Sequence, residues 1–226
     1  MSLILSIETA TNVCSVALHE NGVLVAASEV TINQSHSELL ALFIERVMNS
    51  LKVELKDLDA VAVSKGPGSY TGLRIGLSTA KGICYAHDKP LIAVCTLKAM
   101  VYELSYTIGM NDLIAPMIDA RRMEVYTLLA DQDRNIIKPV SALVVDANAY
   151  LEYLDERKIF FIGNGSDKCR QVITHSNARF LSFNYTSARN IGYIAHEKIQ
   201  QSDFVDLIYF EPFYLKEYKT RKPKLL

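Results

Sequence analysis

The sequence predicts an α/β protein made of two similar halves, each with the element order βββαβα and a mixed sheet. Short apolar runs typical of buried strands alternate with longer helical patterns along the 226 residues. The same order of elements occurs twice, and the first strand of each half ends on an acid, Glu8 in one and Asp119 in the other. We therefore predict an internal duplication with halves at residues 1–108 and 109–204, and we expect residues 205–226 to pack back on the first half.

The first half begins with three strand-like runs, Leu3–Ile7, Val13–Leu18 and Val23–Thr31. Asn21-Gly22 separates the second and third runs, and this pair is typical of a two-residue hairpin turn. Ser35 and Glu38 form a capping-box pattern, which predicts the start of the first helix. The remaining elements predicted in this half are a strand at Ala60–Val63, a helix at Thr71–His87, a strand at Leu91–Cys95 and a helix at Thr96–Ile108.

The second half repeats this order with shorter helices. A further helical pattern, at Asn190–Gln201, ends this half. The elements predicted in this half are strands at Leu113–Ile118, Glu124–Leu129 and Ile136–Val144, a helix at Ala147–Arg157, a strand at Ile159–Ile162 and a helix at Asp167–Thr174.

Composition favours an ordinary cytoplasmic protein. The net charge is −1 and 50% of the residues are apolar, so nothing requires a nucleic-acid or membrane surface. The four cysteines form no C-x-x-C pair, which argues against a zinc site or a disulfide framework and fits a reducing compartment. No apolar stretch reaches about 18 residues, and the N-terminus lacks a signal-peptide pattern, so we predict no membrane association.

The Gly66–Gly72 loop lies between a predicted strand and a predicted helix. Backbone N–H groups at a helix N-terminus suit anions, and glycines allow a phosphate to approach the main chain closely. The loop has neither the P-loop pattern nor G-x-G-x-x-G, and a tight turn explains it as well. These physical grounds leave both interpretations open.

The helix after this loop carries Gly72, Gly76 and Ala80 at four-residue spacing. Glycine costs about 1 kcal/mol against alanine inside a helix, and close approach of another helix is one way to offset this. We favour a helix from a partner chain, with packing on the protein's own sheet as the alternative. On this hypothesis, Gly76→Leu or Ala80→Glu breaks a complex without unfolding the chain.

No catalytic or metal-ligating constellation is predicted. Glu8 and Asp119 could hold Mg²⁺ with a nucleotide, but the residues after Glu8 include no glycine, and loop hydrogen bonding explains each acid nearly as well. The histidines have no metal-ligand spacing, and no nucleophile–base pair is evident. The basic tail at 216–224 could contact RNA phosphates, although a short lysine-rich terminus is more often simply solvated.

Five motifs together resemble the bacterial tRNA threonylcarbamoyladenosine biosynthesis proteins of the TsaB (YeaZ) family. The resemblance covers essentially the whole chain, and the glycine loop with Arg74 is its most specific part. It implies an actin-like ATPase fold (ASKHA, ribonuclease H-like) built of two duplicated halves, in agreement with the repeat. The motifs are Leu5–Ala10, His36-Ser37-Glu38, Ser64–Gly76, Met117–Arg121 and Pro212–Lys216.

The resemblance implies a non-catalytic scaffold or activator subunit. Its complex transfers a threonylcarbamoyl group to the adenosine next to the anticodon, with TsaD as the catalytic metal-binding paralogue and TsaE as an ATPase. The H-x-x-x-H pair of that paralogue is absent here, as is a glycine-rich first phosphate loop, so we expect no activity from this chain alone. The implied partners are a TsaD-like paralogue, a TsaE-like ATPase, a second copy when the paralogue is absent, and tRNA only through the complex.

The resemblance also carries over two sets of residues. No cofactor is firmly implied; weak ATP or ADP binding at the cleft or at the complex interface stays open, at a vestigial site of Glu8, Thr9, Gly66, Gly68, Ser69, Thr71 and Asp119. The alternative functions are a stand-alone actin-fold ATPase or phosphotransferase and, with less support, a glycoprotease-like peptidase. The implied partner-binding residues are His36, Ser37, Leu40, Phe43, Val47, Gly72, Ile75, Gly76, Thr79, Ala80 and Ile83.

Overall fold

The computed structural model describes residues 2–31, 36–182 and 186–216. Ser35 and the basic residues of the tail beyond Lys216 lie outside the described residues. The strands are β1 (Leu3–Glu8), β2 (Val13–Glu20), β3 (Val23–Thr31), β4 (Ala60–Gly66), β5 (Leu91–Cys95), β6 (Leu113–Asp119), β7 (Glu124–Asp131), β8 (Ile136–Val144), β9 (Ile159–Ile162) and β10 (Ala178–Phe180). The helices are α1 (His36–Leu51), α2 (Tyr70–His87), α3 (Thr96–Ser105), α4 (Leu151–Leu154), α5 (Ser166–Cys169) and α6 (Ala188–Gln200).

The described strands form two five-stranded mixed sheets with the same topology. The first sheet has the order β3-β2-β1-β4-β5 and the second has β8-β7-β6-β9-β10. In each sheet the central strand is antiparallel to the strand that follows it in the chain, and it is parallel to its other neighbour. The predicted duplication and the predicted α/β fold are therefore confirmed.

The second half differs from its prediction in three elements. The helix predicted at Ala147–Arg157 is only α4, because Asp146 accepts a hydrogen bond from the Asn148 N–H and Tyr150 has a left-handed backbone with φ of 64°. The helix predicted at Asp167–Thr174 is only α5. Strand β10 was missed, since three residues are too few to show a strand period.

Helices cover both faces of the first sheet. α1 and α2 pack on one face, in a core that includes Leu5, Ile7 and Val63. α6 covers the opposite face through Ile191 and Ala195. The sequence assigned α6 to the second half, but it belongs by its contacts to the first, because its apolar stripe fits the face of β1, β2, β4 and β5 that α1 and α2 leave open.

Residues 205–216 also run along the first half. The Val205 N–H donates to the Leu91 carbonyl at 3.0 Å, and the Phe213 N–H donates to the Lys65 carbonyl at 2.7 Å. At its end, Lys216 forms an ion pair with Glu124 of β7. This segment thus crosses from the first sheet to the second.

No helix within the described ranges is long and apolar enough to cross a membrane.

Candidate functional site

The glycine loop is a short connection between β4 and α2. Gly66 has a φ of +104°, a left-handed conformation that favours glycine. Ser69 caps the helix, because its Oγ accepts a hydrogen bond from the Gly72 N–H at 3.3 Å. Thr71 is exposed in the first turn of α2. The loop therefore directs α2 back over the sheet.

The concave side of this loop is filled by the protein's own β1–β2 turn. The Ser69 N–H donates to the Ala10 carbonyl at 2.7 Å, and the Thr9 hydroxyl donates to the Gly72 carbonyl at 2.8 Å. A Cβ atom on Gly68 would overlap the Ala10 carbonyl, and one on Gly72 would overlap the Thr9 carbonyl. These glycines admit a backbone segment of the same chain at the place where a phosphate would enter.

Glu8 lies at the end of β1 and is fully buried. Its Oε1 atom accepts hydrogen bonds from the Ala10 N–H at 2.6 Å and from the Ser64 hydroxyl at 2.9 Å. Burial raises the pKa of Glu8 to about 7, although those two hydrogen bonds act in the opposite direction. Its Oε2 atom has no hydrogen-bond partner among the described residues. A carboxyl group with a pKa of about 7 is protonated in about half of the molecules at neutral pH, which weakens it as a ligand for Mg²⁺.

Asp119, the counterpart of Glu8 in the second half, has a different environment. It is exposed at the end of β6 and forms an ion pair with Lys168. Its Oδ1 atom also accepts a hydrogen bond from the Arg121 N–H at 2.9 Å. Across the described ranges, no three His, Cys, Asp or Glu side chains are grouped so that they could hold a metal ion. Each predicted acid thus has an internal structural partner.

Two cavities lie away from the predicted nucleotide residues. One of about 550 Å³ lies between β7, β8 and residues 146–152. The other, of about 420 Å³, lies between β5, α3, α6 and the β7–β8 turn. The predicted vestigial residues line neither cavity, so the described geometry gives no direct support to nucleotide binding at those positions.

Most of the predicted partner-binding residues are buried within the chain. The inference that the small residues of α2 admit a helix from a partner chain is therefore corrected. A Cβ atom on Gly76 would overlap the Thr9 hydroxyl, so the close neighbour that this glycine admits is the β1–β2 turn of the same chain. Gly76→Leu and Ala80→Glu would therefore disrupt the protein's own core, contrary to expectation. The buried residues of the set are His36, Leu40, Phe43, Val47, Gly72, Gly76 and Ala80.

His36 illustrates the correction. Its Nε2 atom donates a hydrogen bond to the Thr11 carbonyl at 2.7 Å, which ties the start of α1 to the β1–β2 turn. The imidazole is buried within the chain. The motif that contains it is therefore part of the same internal junction as Thr9 and Gly72.

Four predicted partner-binding residues are at least partly accessible. Ser37 is exposed, while Ile75, Thr79 and Ile83 on α2 are half-buried. Leu42 on α1 is 55% exposed, although it is not among the residues that the motifs predict to bind a partner. It lies outside the apolar stripe of its helix, and this was the signal that could have identified it.

A cluster of aromatic and basic side chains joins two of the sequence motifs. The Arg74 guanidinium lies 4.2 Å from the ring centre of Tyr70, and its Nε–H donates to the Tyr214 hydroxyl at 3.2 Å. The Tyr70 and Tyr214 ring centres are 4.9 Å apart. Each motif is visible in the sequence, but their contact spans 140 positions and no local pattern reports it.

Comparisons with known proteins agree with this geometry. The family model TsaD, tRNA N6-adenosine threonylcarbamoyltransferase, matches residues 28–222. The tRNA threonylcarbamoyladenosine biosynthesis protein TsaB of Bacillus subtilis is 32% identical over 75% of this chain and 74% of its own length. The structure of YeaZ from Pseudomonas aeruginosa covers 95% of this chain and 100% of its own, with a TM-score of 0.79 and 25% identity.

The wider fold also has a match among actin-like ATPases. The activator of the 2-hydroxyisocaproyl-CoA dehydratase from Clostridium difficile, solved with bound ADPNP, has a TM-score of 0.53 at 9% identity. It covers 88% of this chain and 96% of its own length, and it shows the fold alone. The actin-like fold implied by the motifs is thus confirmed, and the chain belongs to the TsaB (YeaZ) family of tRNA threonylcarbamoyladenosine biosynthesis proteins.

Proposed function

We propose that this chain is a non-catalytic accessory subunit of the complex that transfers a threonylcarbamoyl group to the adenosine next to the anticodon of tRNAs. It acts by pairing with a catalytic, metal-binding paralogue of the TsaD type and by supporting recruitment of a TsaE-like ATPase. The observation that carries the proposal is the filled glycine loop, where the Ala10 carbonyl takes the Ser69 N–H donor. A loop whose donor is used internally is poorly suited to hold the phosphates of a substrate.

The partner surface is the outward side of α1 and α2. Leu42 is the large apolar side chain most exposed on α1, and Ile75, Thr79 and Ile83 contribute half-buried edges on α2. Exposed apolar groups on a rigid helix pair suit helix-to-helix packing, and α1 and α2 are held rigid by their contacts with the sheet. In the absence of the paralogue, the same surface pairs two copies of this chain.

Co-purification with a TsaD-like paralogue tests this surface. We expect Leu42→Glu to abolish the complex because it places a charge in an apolar interface, while circular dichroism shows an unchanged fold. Met110→Glu is the matched control, since Met110 is 83% exposed in the loop before β6 and lies outside α1 and α2. Equal recovery of the paralogue with both variants would exclude this surface.

Titration calorimetry with Mg·ATP tests the non-catalytic role. We expect no binding by the chain alone at millimolar nucleotide, because the described loop offers no open phosphate cradle. Tight binding, together with hydrolysis by the purified chain, would instead favour a stand-alone ATPase.

A further inference from the structure

The turn between β6 and β7 has an unusual pair of residues. Arg121 and Arg122 have φ values of 71° and 47°, a left-handed backbone that favours glycine and asparagine. The β2–β3 turn of the same chain meets this requirement with Asn21 and Gly22, at 50° and 79°. Two consecutive arginines in this conformation destabilise the turn relative to such a pair, which points to a role for the side chains.

Both arginines present free charge to solvent. They are exposed, and neither guanidinium has an ion pair or hydrogen bond within the described part of the chain. The carboxylates beside them are already neutralised, Asp119 by Lys168 and Glu124 by Lys216. The turn is therefore a local site of positive charge on a protein whose net charge is only −1.

The C-terminal segment brings one further basic residue, Lys216, to the same place. Lys216 is held beside the turn by its ion pair and by the packing of Tyr214 on Tyr70. Lys216 thus reaches the β6–β7 turn from a separate part of the chain.

We propose that Arg121 and Arg122, beside the neutral pair of Lys216 and Glu124, form a surface that binds the sugar–phosphate backbone of tRNA. The proposal rests on the proposed function, which brings tRNA to the complex, and it identifies which side of this subunit faces the RNA. Arginine is suited to this role because its planar guanidinium binds phosphate oxygens through two parallel hydrogen bonds. Such contacts position an RNA without reading its sequence.

A salt titration of tRNA binding tests the surface. The probe is an unmodified tRNA transcript, and its affinity is measured for the complex with the TsaD-like paralogue and for this chain alone. We expect the double variant Arg121→Gln with Arg122→Gln to bind about tenfold more weakly. The slope of log affinity against log salt should fall by about 1.5, because two phosphate contacts are lost.

Arg157 and Lys158 provide the control for charge. They are also adjacent and exposed, but they precede β9, at the opposite end of the second sheet from the turn. Arg157→Gln with Lys158→Gln makes the same change in net charge and should leave both affinity and slope unchanged. Equal effects of the two double variants would overturn the proposal, as would loss of complex assembly in the turn variant, which would assign the arginines to a protein partner.

A second variant separates binding from folding. Arg121→Asn with Arg122→Gly suits the left-handed turn, so we expect a higher melting temperature together with weaker tRNA binding. Retained tRNA affinity in this more stable variant would contradict the proposal. Competition with Mg·ATP distinguishes RNA from free nucleotide, because the surface should release tRNA with added salt but not with stoichiometric ATP. If the wild-type chain forms no complex with the paralogue, the proposed function fails, and titration of the chain alone still decides this inference.

Discussion

The Thr9 hydroxyl donates a hydrogen bond to the Gly72 carbonyl, across 2.8 Å and 63 positions of sequence. Together with the bond from the Ser69 N–H to the Ala10 carbonyl, it locks the β1–β2 turn against the first turn of α2. These two loops are the segments whose sequences left phosphate binding open. In this chain they bind each other.

Two glycines of α2 provide a matched test of this lock. Gly72→Ala should lower the free energy of unfolding by about 2 kcal/mol, because the added Cβ overlaps the Thr9 carbonyl. Gly82→Ala should raise it by up to about 1 kcal/mol, since nothing lies within 4 Å of that position and alanine favours the helix. Urea denaturation of both variants measures the difference, and similar effects would show that the close approach is unimportant.

Glu8 should make stability fall as pH rises. Its pKa is about 7 in the folded protein against 4.5 when exposed, so between these values the unfolded chain loses a proton that the folded chain keeps. The contribution is fully present below pH 4.5 and is lost as pH rises through 7. Glu8→Gln removes this titration. We expect the free energy of unfolding of the variant, relative to that of the wild type, to be about 3 kcal/mol higher at pH 8 than at pH 4. An unchanged pH profile of the melting temperature would contradict the assignment.

His19 should act in the opposite direction. It is buried between β2 and α6, neither ring nitrogen has a regular hydrogen-bond partner among the described residues, and burial lowers its pKa to about 4 from 6.5. The folded state thus resists protonation, so its stability is lost as pH falls from 6.5 towards 4.

The variant His19→Leu tests this titration. The loss in free energy of unfolding between pH 6.5 and pH 4 should be smaller by about 2 kcal/mol than in the wild type. Comparison with Glu8→Gln is informative, because the two wild-type slopes offset each other. Glu8→Gln should therefore lose more stability than His19→Leu when the pH falls from 6.5 towards 4. The opposite order would disprove the two pKa assignments.

Phe210 and Tyr209 test the docking of the C-terminal segment. Phe210 packs against the core of the first half, whereas the adjacent Tyr209 is 81% exposed. We expect Phe210→Ala to lower the free energy of unfolding by about 2 kcal/mol through the cavity it leaves, and Tyr209→Ala to change it by less than about 0.5 kcal/mol. Thermal unfolding of both variants gives the comparison. Equal shifts would mean that this segment adds no packing to the first half.

The duplicated topology was predictable because its signals are local. For apolar runs such as Leu3–Ile7, and for the Asn21-Gly22 turn, a few neighbouring residues are enough to predict the local conformation. The position of α6 was not predictable, since an apolar stripe at Ile191 and Ala195 does not say which sheet it will cover. Sequence order placed it with the second half, whereas packing placed it on the first.

The candidate site, like the fold, was predictable from the sequence only in part. The pattern of Gly72, Gly76 and Ala80 correctly indicates that something lies close to α2, but a small side chain looks the same whether its neighbour belongs to the same chain or to another. The choice of a partner helix was therefore wrong for Gly76, whose neighbour is Thr9. The motif resemblance succeeded where spacing alone was ambiguous, because it used the order of five motifs together.

The return of α6 to the first sheet has a consequence for biosynthesis. The face formed by Ile4, Ala62 and Ile92 is covered by Ile191 and Ala195, and the opposite core receives Val205 and Phe210. When only residues 1–108 have left the ribosome, this face of the sheet therefore lacks the cover that α6 provides. The amino-terminal half can therefore complete its packing only when residues up to Phe210 have left the exit tunnel.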